Sequence, residues 1–316
     1  MSRAAWTSRA HWCRRLGLRA GTALVSMLLL LGAAARAAGE IVDDAGQRTR
    51  LDAAPARVVS LLPSLTETVC ALGACERLVG VDRYSNWPAS VQKLPQLGGG
   101  LDPNIEAVVA ARPDVVLIGT SSRAAVRLRA LGLKVVALEP RTRAELSSVV
   151  ERVAQVLQVD GADALLGRLL RVDGADALVQ RIDDGVAAAA AALPGAARGR
   201  RVYYEVDAAP HAAGRGTFID ELLQALGLVN IIDAGLGPYP RINPELVVRA
   251  DPDLVMVSQQ GAAELARRPG WARLRALRGG HVCEFDAAQR DILVRPGPRM
   301  PEAARLMADC AARSLK

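Results

Sequence analysis

From residue 57 onward, short apolar runs alternate with stretches in which apolar side chains recur every three or four positions. The first pattern predicts strands buried on both faces and the second amphipathic helices. Strands are expected over Arg57 to Leu62, Leu78 to Asp82, 115 to 118 and Lys134 to Leu138. In the second half they are expected over Arg201 to Val206, Val229 to Ile232, Leu254 to Val257 and His281 to Phe285. Strands alternating with helices of this length predict an α/β protein with parallel sheets. After the first strand, Pro63-Ser64-Leu65-Thr66-Glu67 predicts a helix capped by Ser64 or Thr66, with Glu67 in its first turn and Gly73 at its end.

One stretch of this pattern occurs twice. Residues 104 to 116 and 243 to 255 match at an offset that pairs Glu106 with Glu245 and Pro113-Asp114 with Pro252-Asp253. Each copy predicts a short helix with a carboxylate where the positive end of the helix dipole favours it, a proline stop and then an apolar strand. A duplicated unit of this kind implies two Rossmann-like lobes, an N-terminal one over 38–141 and a C-terminal one over 195–316. Residues 142–194 join them, and from Arg143 to Leu193 they contain no Pro. This composition predicts a long backbone α-helix; thirty residues of it would cover about 45 Å. Within it Val-Asp-Gly-Ala-Asp-Ala-Leu appears at 159–165 and again at 172–178, a local duplication expected to break the helix at Gly161 or Gly174.

The N-terminus follows a different plan. Arg3, Arg9, Arg14, Arg15 and Arg19 precede the apolar run Ala23 to Leu31, and Ala35-Arg36-Ala37 offers small residues for cleavage. Residues 1–37 are therefore expected to be a signal peptide, cleaved near Ala37, that sends the chain to the periplasm. The run is shorter than the roughly 20 residues of a membrane span, and no Cys follows it to carry a lipid.

Removing this segment changes the charge picture. Of 40 Lys and Arg, six precede residue 38, leaving 34 against 33 Asp and Glu. The basic excess belongs to the signal, so a nucleic-acid partner loses its support. Four cysteines remain, Cys70, Cys75, Cys283 and Cys310, in a chain bound for an oxidising compartment. Of the three possible pairings, Cys70 with Cys75 and Cys283 with Cys310 are expected, with free buried thiols as the alternative. Only His211 and His281 remain, too few for a three-His site for a free metal ion; His281 is expected to be structural. Gly98-Gly99-Gly100 lacks the spacing of a nucleotide loop. No Gly-x-Ser-x-Gly elbow or His-Glu-x-x-His pair marks an enzyme.

Against this neutral background a few residues stand out. Aromatics make up 3% of the chain, yet Tyr84 and Trp87 share one polar loop, and Tyr239 lies between two prolines. The ordered set Val58-Val59-Ser60-Leu61-Leu62-Pro63-Ser64-Leu65-Thr66-Glu67, Leu78-Val79-Gly80-Val81, Tyr84-Ser85-Asn86-Trp87-Pro88, the two Glu helices and Arg295-Pro296-Gly297-Pro298-Arg299 resembles the helical-backbone periplasmic receptors of ABC importers. The likeness runs over residues 56 to 314 and is nearest to the vitamin B12 receptors of that family, which also takes up ferric siderophores and haem.

The resemblance implies two lobes with a ligand cleft between them and no enzymatic activity. It also implies a monomer that hands its ligand, a metal-chelate small molecule and not a resident cofactor, to an inner-membrane permease dimer. Tyr84 and Tyr239 match positions where the B12 receptors set aromatics against the corrin, and His211, Asp291 and Arg295 fall on positions of that pocket. Glu106 and Glu245 match the carboxylates that dock on the permease. Gly100 and Gly119 stand where those receptors have tryptophans, and His211 where they have an aromatic. The expected ligand is a corrinoid, bound by Tyr84, Trp87, His211, Tyr239, Asp291 and Arg295. A ferric siderophore or haem is the alternative; Arg83, Arg215, Arg241, Arg295 and Arg299 would suit an anionic chelate, and His211 could be an axial ligand to iron or cobalt.

Overall fold

The computed structural model describes residues 39–159, 174–207, 209–257 and 261–315. The expected signal peptide, residues 1–37, lies outside the described residues, as does most of the 159–165/172–178 duplication. A hairpin of β1 (Gly39–Val42) and β2 (Arg48–Leu51) comes first. Then β3 (Val58–Ser60), α1 (Pro63–Ala71), β4 (Leu78–Val81), α2 (Ile105–Ala110), β5 (Val115–Ile118), α3 (Ala124–Ala130) and β6 (Val135–Ala137) alternate. Their strands form one parallel sheet in the order β4-β3-β5-β6.

Two helices follow, α4 (Arg143–Leu157) and α5 (Ala175–Ala192). The second sheet contains β7 (Arg201–Asp207), β8 (His211–Ala212), β9 (Val229–Asn230), β10 (Leu254–Val257) and β11 (Val282–Glu284), with α6 (Phe218–Ala225), α7 (Pro244–Ala250), α8 (Ala262–Leu265), α9 (Arg275–Arg278), α10 (Ala287–Leu293) and α11 (Met300–Ser314) around it. Its order is β11-β10-β7-β8, with β9 also on β7, and only β8 runs antiparallel.

The central strands are buried on both faces because alternate residues enter different cores. Val115 and Leu117 pack with Leu65 of α1 and Val149 of α4, whereas Val116 and Ile118 pack with Val108 of α2 and Leu128 of α3. The second sheet repeats this: Leu254 and Met256 join Leu222 and Met307, whereas Val255 and Val257 join Val247 and Trp271. One apolar cluster, running from Ile41 through α1, α4 and α5 into α6 and α11, is common to both lobes. Gly185 lets α5 meet α11 closely, since a Cβ there would lie 2.5 Å from the Cβ of Pro301.

The duplicated stretch is a backbone device. Asn104 and Asn243 cap α2 and α7 by accepting from the main-chain N–H of Ala107 and Glu245, one of the stronger N-cap choices. Each helix ends next to a residue with positive φ, Arg112 at 45° and Asp251 at 41°. The Pro-Asp that follows turns the chain into the strand. Asp114 then accepts from the N–H groups of Ala56 and Arg57, and Asp253 from that of Arg201, at the entry to the neighbouring strand. Arg57 and Arg275 donate to the terminal carbonyls of Ala111 and Asp251, where the helix dipole favours a cation.

Three expectations need correcting. The connector is not one helix among the described residues. The helix α4 stops at Gln158, which takes a left-handed conformation, and α5 opens at Gly174, one of the two expected break points, so its 18 residues cover about 27 Å. In α1 neither Ser64 nor Thr66 is the cap. The N-cap is Leu62 with Pro63 at the first position, and both hydroxyl residues are buried inside the helix. Nor does Glu67 lie in the first turn, which holds no acidic residue: it is the fifth residue of the helix, and its side chain, 1% exposed, is held by arginines from the far end of the chain.

Cys70 is disulfide-bonded to Cys75, closing the turn after α1, and Cys283 to Cys310, tying β11 to α11. On the outer face of the second sheet, Glu205 of β7 takes a two-point hydrogen bond from Arg268 at 2.7 and 2.8 Å and a third bond from the Tyr203 hydroxyl at 2.9 Å. The Arg268 guanidinium also lies 4.5 Å from the centre of the Trp271 ring. His281 Nδ1 lies 3.2 Å from the Asp253 carbonyl, a structural contact.

Candidate ligand-binding site

The carboxyl ends of all four strands of the first sheet open on one cavity of about 320 Å³. Leu61 and Leu62 come from the end of β3, Asp82 and Tyr84 from β4, Gly119 and Ser121 from β5, and Glu139 from β6; Gly100, Leu101 and Asp102 complete it. This is where open α/β sheets place ligands. The glycines at 100 and 119 have structural causes. A Cβ at Gly100 would lie 2.6 Å from the Leu61 carbonyl oxygen, and one at Gly119 would meet the Glu139 carboxylate at 3.3 Å. Space that a large aromatic would need is thus taken by main chain and by a carboxylate.

The wall is acidic. Glu139 accepts from the hydroxyls of Thr120 and Ser121 and from the Ser121 N–H, at 2.7 to 3.0 Å. Asp82 is buried, and that burial pushes its carboxyl above the usual range despite hydrogen bonds from Ser85 and the Tyr84 N–H. Asp102 pairs with Arg83 at 2.9 Å. No Lys or Arg is among the residues that line the cavity.

Tyr84 lines the cavity, and Tyr239 and Trp87 are exposed aromatics outside its lining. Tyr84 is 59% exposed, Tyr239 44% and Trp87 37%. Protein around the Tyr239 hydroxyl, and next the negative charge of Glu139 in the other lobe, push its pKa up to about 12. The loop that carries Tyr239 is zipped to the loop after β7: Ala212 N–H donates to the Pro240 carbonyl, Gly214 N–H to Pro238 and Ile242 N–H to Pro210.

Through this zipper His211 sits beside the Tyr239 loop. Its Nδ1 lies 3.0 Å from both Asp207 carboxylate oxygens. Desolvation would raise the Asp207 pKa, but hydrogen bonds from the His211 ring and from the Ala209 and His211 N–H groups outweigh it and hold the carboxyl below its usual range. A carboxylate on Nδ1–H leaves Nε2 with its lone pair, the arrangement common to metal-ligating histidines. Among the described residues no group of three or more His, Cys, Asp or Glu is placed to hold a metal ion.

Asp291 and Arg295, expected as ligand anchors, are committed elsewhere. Arg295 donates to Glu67 at 3.0 Å, to the Asn86 side chain at 2.8 Å and to the Tyr84 carbonyl at 2.9 Å, and pairs with Asp291 at 3.1 Å. Asp291 also accepts from Asn86 at 2.7 Å. Arg299 donates twice to Glu67 and lies 5.0 Å from the centre of the Trp87 ring. Of these residues Tyr84 lines the cavity, Tyr239 and His211 lie on the two zipped loops of the second lobe, and Asp291 and Arg295 join a network with Asn86 and the buried Glu67. Asp82 and Glu139 were missed, although each directly follows an apolar strand, the position that meets the carboxyl edge of a sheet.

Glu106 and Glu245 both lie exposed in the first turns of α2 and α7. Glu106 has Arg127 at 3.7 Å. No helix among the described residues is long and apolar enough to cross a membrane.

Two α/β lobes joined through one apolar cluster, with a lined cavity at the carboxyl edge of the first sheet, fit a receptor, and comparison with known proteins agrees. The profile of the Periplasmic binding protein family matches residues 58–288, and the chain belongs to that family. It is 26% identical over 277 residues to an uncharacterized ABC transporter substrate-binding lipoprotein, YvrC, of Bacillus subtilis, covering 85% of this chain and 84% of that one. It is 33% identical over 213 residues to a cobalamin-binding protein of Halobacterium salinarum, covering 65% of this chain and 54% of that relative. Among solved structures, the periplasmic heme-binding protein BhuT in complex with two hemes superposes with a TM-score of 0.69 at 28% identity, over 82% of this chain and 99% of that one. The two-lobed α/β architecture is that of these receptors.

Proposed function

We propose that this chain is the substrate-binding component of an ABC importer and that its ligand is a corrinoid. It works in the periplasm after removal of residues 1–37, as a monomeric receptor and not as an enzyme. It delivers the ligand to a permease dimer on which Glu106 and Glu245 dock, one per lobe. The observation that carries the ligand reading is the lining of the cavity: Glu139 and the buried Asp82 face it, no Lys or Arg is among its lining residues, and Asp102 is already paired with Arg83. A corrinoid has a broad apolar face and an edge of primary amides, whose N–H groups suit carboxylates and main-chain carbonyls. Haem propionates and the ionised oxygens of a siderophore would meet like charge there. Tyr84 and Tyr239, from opposite lobes, offer faces to the ring system. The cobalamin-binding relative supports the same reading.

One observation favours haem as a second reading. His211, with Asp207 on Nδ1, keeps Nε2 available as an axial ligand, and the structurally similar BhuT holds hemes. Purified protein incubated separately with cyanocobalamin, haemin and a ferric siderophore, then desalted, is expected to retain the corrinoid spectrum. Retention of haemin alone would transfer the assignment to haem. Tyr239→Ala is expected to weaken cyanocobalamin binding about tenfold in a calorimetric titration, which is about 1.4 kcal/mol and of the size of one aromatic contact with its area burial. An unchanged Kd would remove Tyr239 from the site.

A further inference from the structure

We infer that Glu67, Arg295 and Arg299 form an inter-lobe lock that positions the Tyr84–Trp87 loop for the ligand, so that Arg295 acts as a positioning residue and not as a ligand anchor. The inference rests on the receptor reading above and concerns how the aromatic loop is held.

The geometry starts at Tyr84. Its ring is exposed, but its peptide groups are pinned on both sides: its N–H donates to Asp82 at 3.0 Å and its carbonyl accepts from Arg295 at 2.9 Å. The first contact comes from the floor of the cavity and the second from a residue 211 positions away in sequence, just ahead of α11. Asn86, two residues on, is held the same way, accepting from Arg295 and donating to Asp291. Trp87 has the Arg299 guanidinium over its ring. The contacts that reach this loop from the second lobe thus come from residues 291–299, while Gln92 donates to the Asn86 carbonyl from within the first lobe.

Those arginines are in turn fixed by one carboxylate. Glu67 takes Arg295 at 3.0 Å and Arg299 at 2.7 and 3.1 Å, and the side chains are 1%, 8% and 9% exposed. Separating partners in such a site would leave a buried charge without compensation, which is strongly unfavourable. Two-point guanidinium contacts also fix direction as well as distance. Inside the first lobe, Asp82 continues through Ser85 to Thr66 and Ser60, with 2.9 and 2.8 Å between successive hydroxyls of the last three. Cavity floor, aromatic loop and lock form one hydrogen-bonded unit. An arginine with its outward donors engaged in this way has no free fork for a ligand.

Amide hydrogen exchange on the empty protein tests this without reference to any ligand. In Arg295→Met, exchange across residues 83–88 is expected to accelerate at least tenfold, with strands β5 and β10 as protected as before. The Kd for cyanocobalamin is expected to rise at least tenfold. A raised Kd with unchanged exchange across 83–88 would overturn the inference and make Arg295 a direct anchor. Acceleration spread evenly over the strands would overturn it in favour of general destabilisation. Asn86→Ala, which removes cross-lobe bonds without stranding a charge, guards against failure of the first variant to fold. It is expected to give the same local acceleration at smaller amplitude, and no change across 83–88 would sink the lock. Absence of cyanocobalamin binding by the unaltered protein would instead count against the corrinoid reading, with the exchange pattern still deciding the lock.

Discussion

Replacing Glu106 and Glu245 together by Ala is expected to abolish uptake while leaving ligand affinity within about twofold. Both carboxylates sit in the exposed first turn of a short helix, one per lobe, and the same Asn cap and Pro-Asp turn build each helix. Neither lines the cavity. The ion pair that Glu106 makes to an exposed Arg127 at 3.7 Å belongs to a class worth about 0–1 kcal/mol, so an arginine on a permease can displace it at little cost. A single replacement leaves one lobe anchored and is expected to reduce uptake without ending it. The measurement is ligand uptake into vesicles containing the permease, beside a binding titration of the same variant. Normal uptake by the double variant would remove the docking role from this pair.

The largest effect on stability is expected at Arg268. Glu205 is 2% exposed at its side chain and takes both of its strongest contacts from this one guanidinium. Burial, followed by the adjacent Glu205 carboxylate, pushes the Tyr203 hydroxyl upward, so it remains a protonated donor to Glu205. Arg268→Ala leaves the Tyr203 bond but removes the compensating charge and the cation that covers Trp271. Stranding one member of a buried pair costs about 3–5 kcal/mol, and that loss is expected in urea unfolding. A loss below about 1 kcal/mol would mean that water reaches Glu205 freely. The double replacement Glu205→Gln, Arg268→Met is expected to recover part of the loss, because no bare charge then remains.

The contrast between these two sites bears on what could be read before the structure. The matched helices with Glu106 and Glu245 were legible because each rests on short-range rules: an Asn cap, a carboxylate in the first turn, a proline stop. The double-sided burial of Val115 to Ile118 and Leu254 to Val257 was legible in the same way, as was the order of strands and helices. Glu67 was misread because a rule about the first turn of a helix cannot see Arg299, 232 residues away. Arg295 is a related case. Its place at the cleft followed from family likeness, but its donors were claimed by Glu67, Asn86 and Asp291, and nothing local to residues 291–299 shows that. The connector is not one helix because Gln158 turns left-handed inside it, which helix-forming composition does not mark, whereas Gly174, one of the two expected break points, is where the second helix opens. Asp82 and Glu139 could have been found by asking which polar residue directly follows each buried strand.

The apolar cluster common to both lobes has a consequence for the transport cycle. A receptor whose halves share a core is expected to keep the spacing of Glu106 and Glu245 whether or not the cleft is filled. Empty receptor is then a competitor for the permease. Adding ligand-free protein to vesicles at a fixed concentration of loaded protein is expected to slow uptake, with half-inhibition near the concentration at which loaded protein gives half-maximal uptake. Supply of receptor beyond supply of ligand would work against import, so the number of receptor copies is itself a quantity the cell has to match to scarcity.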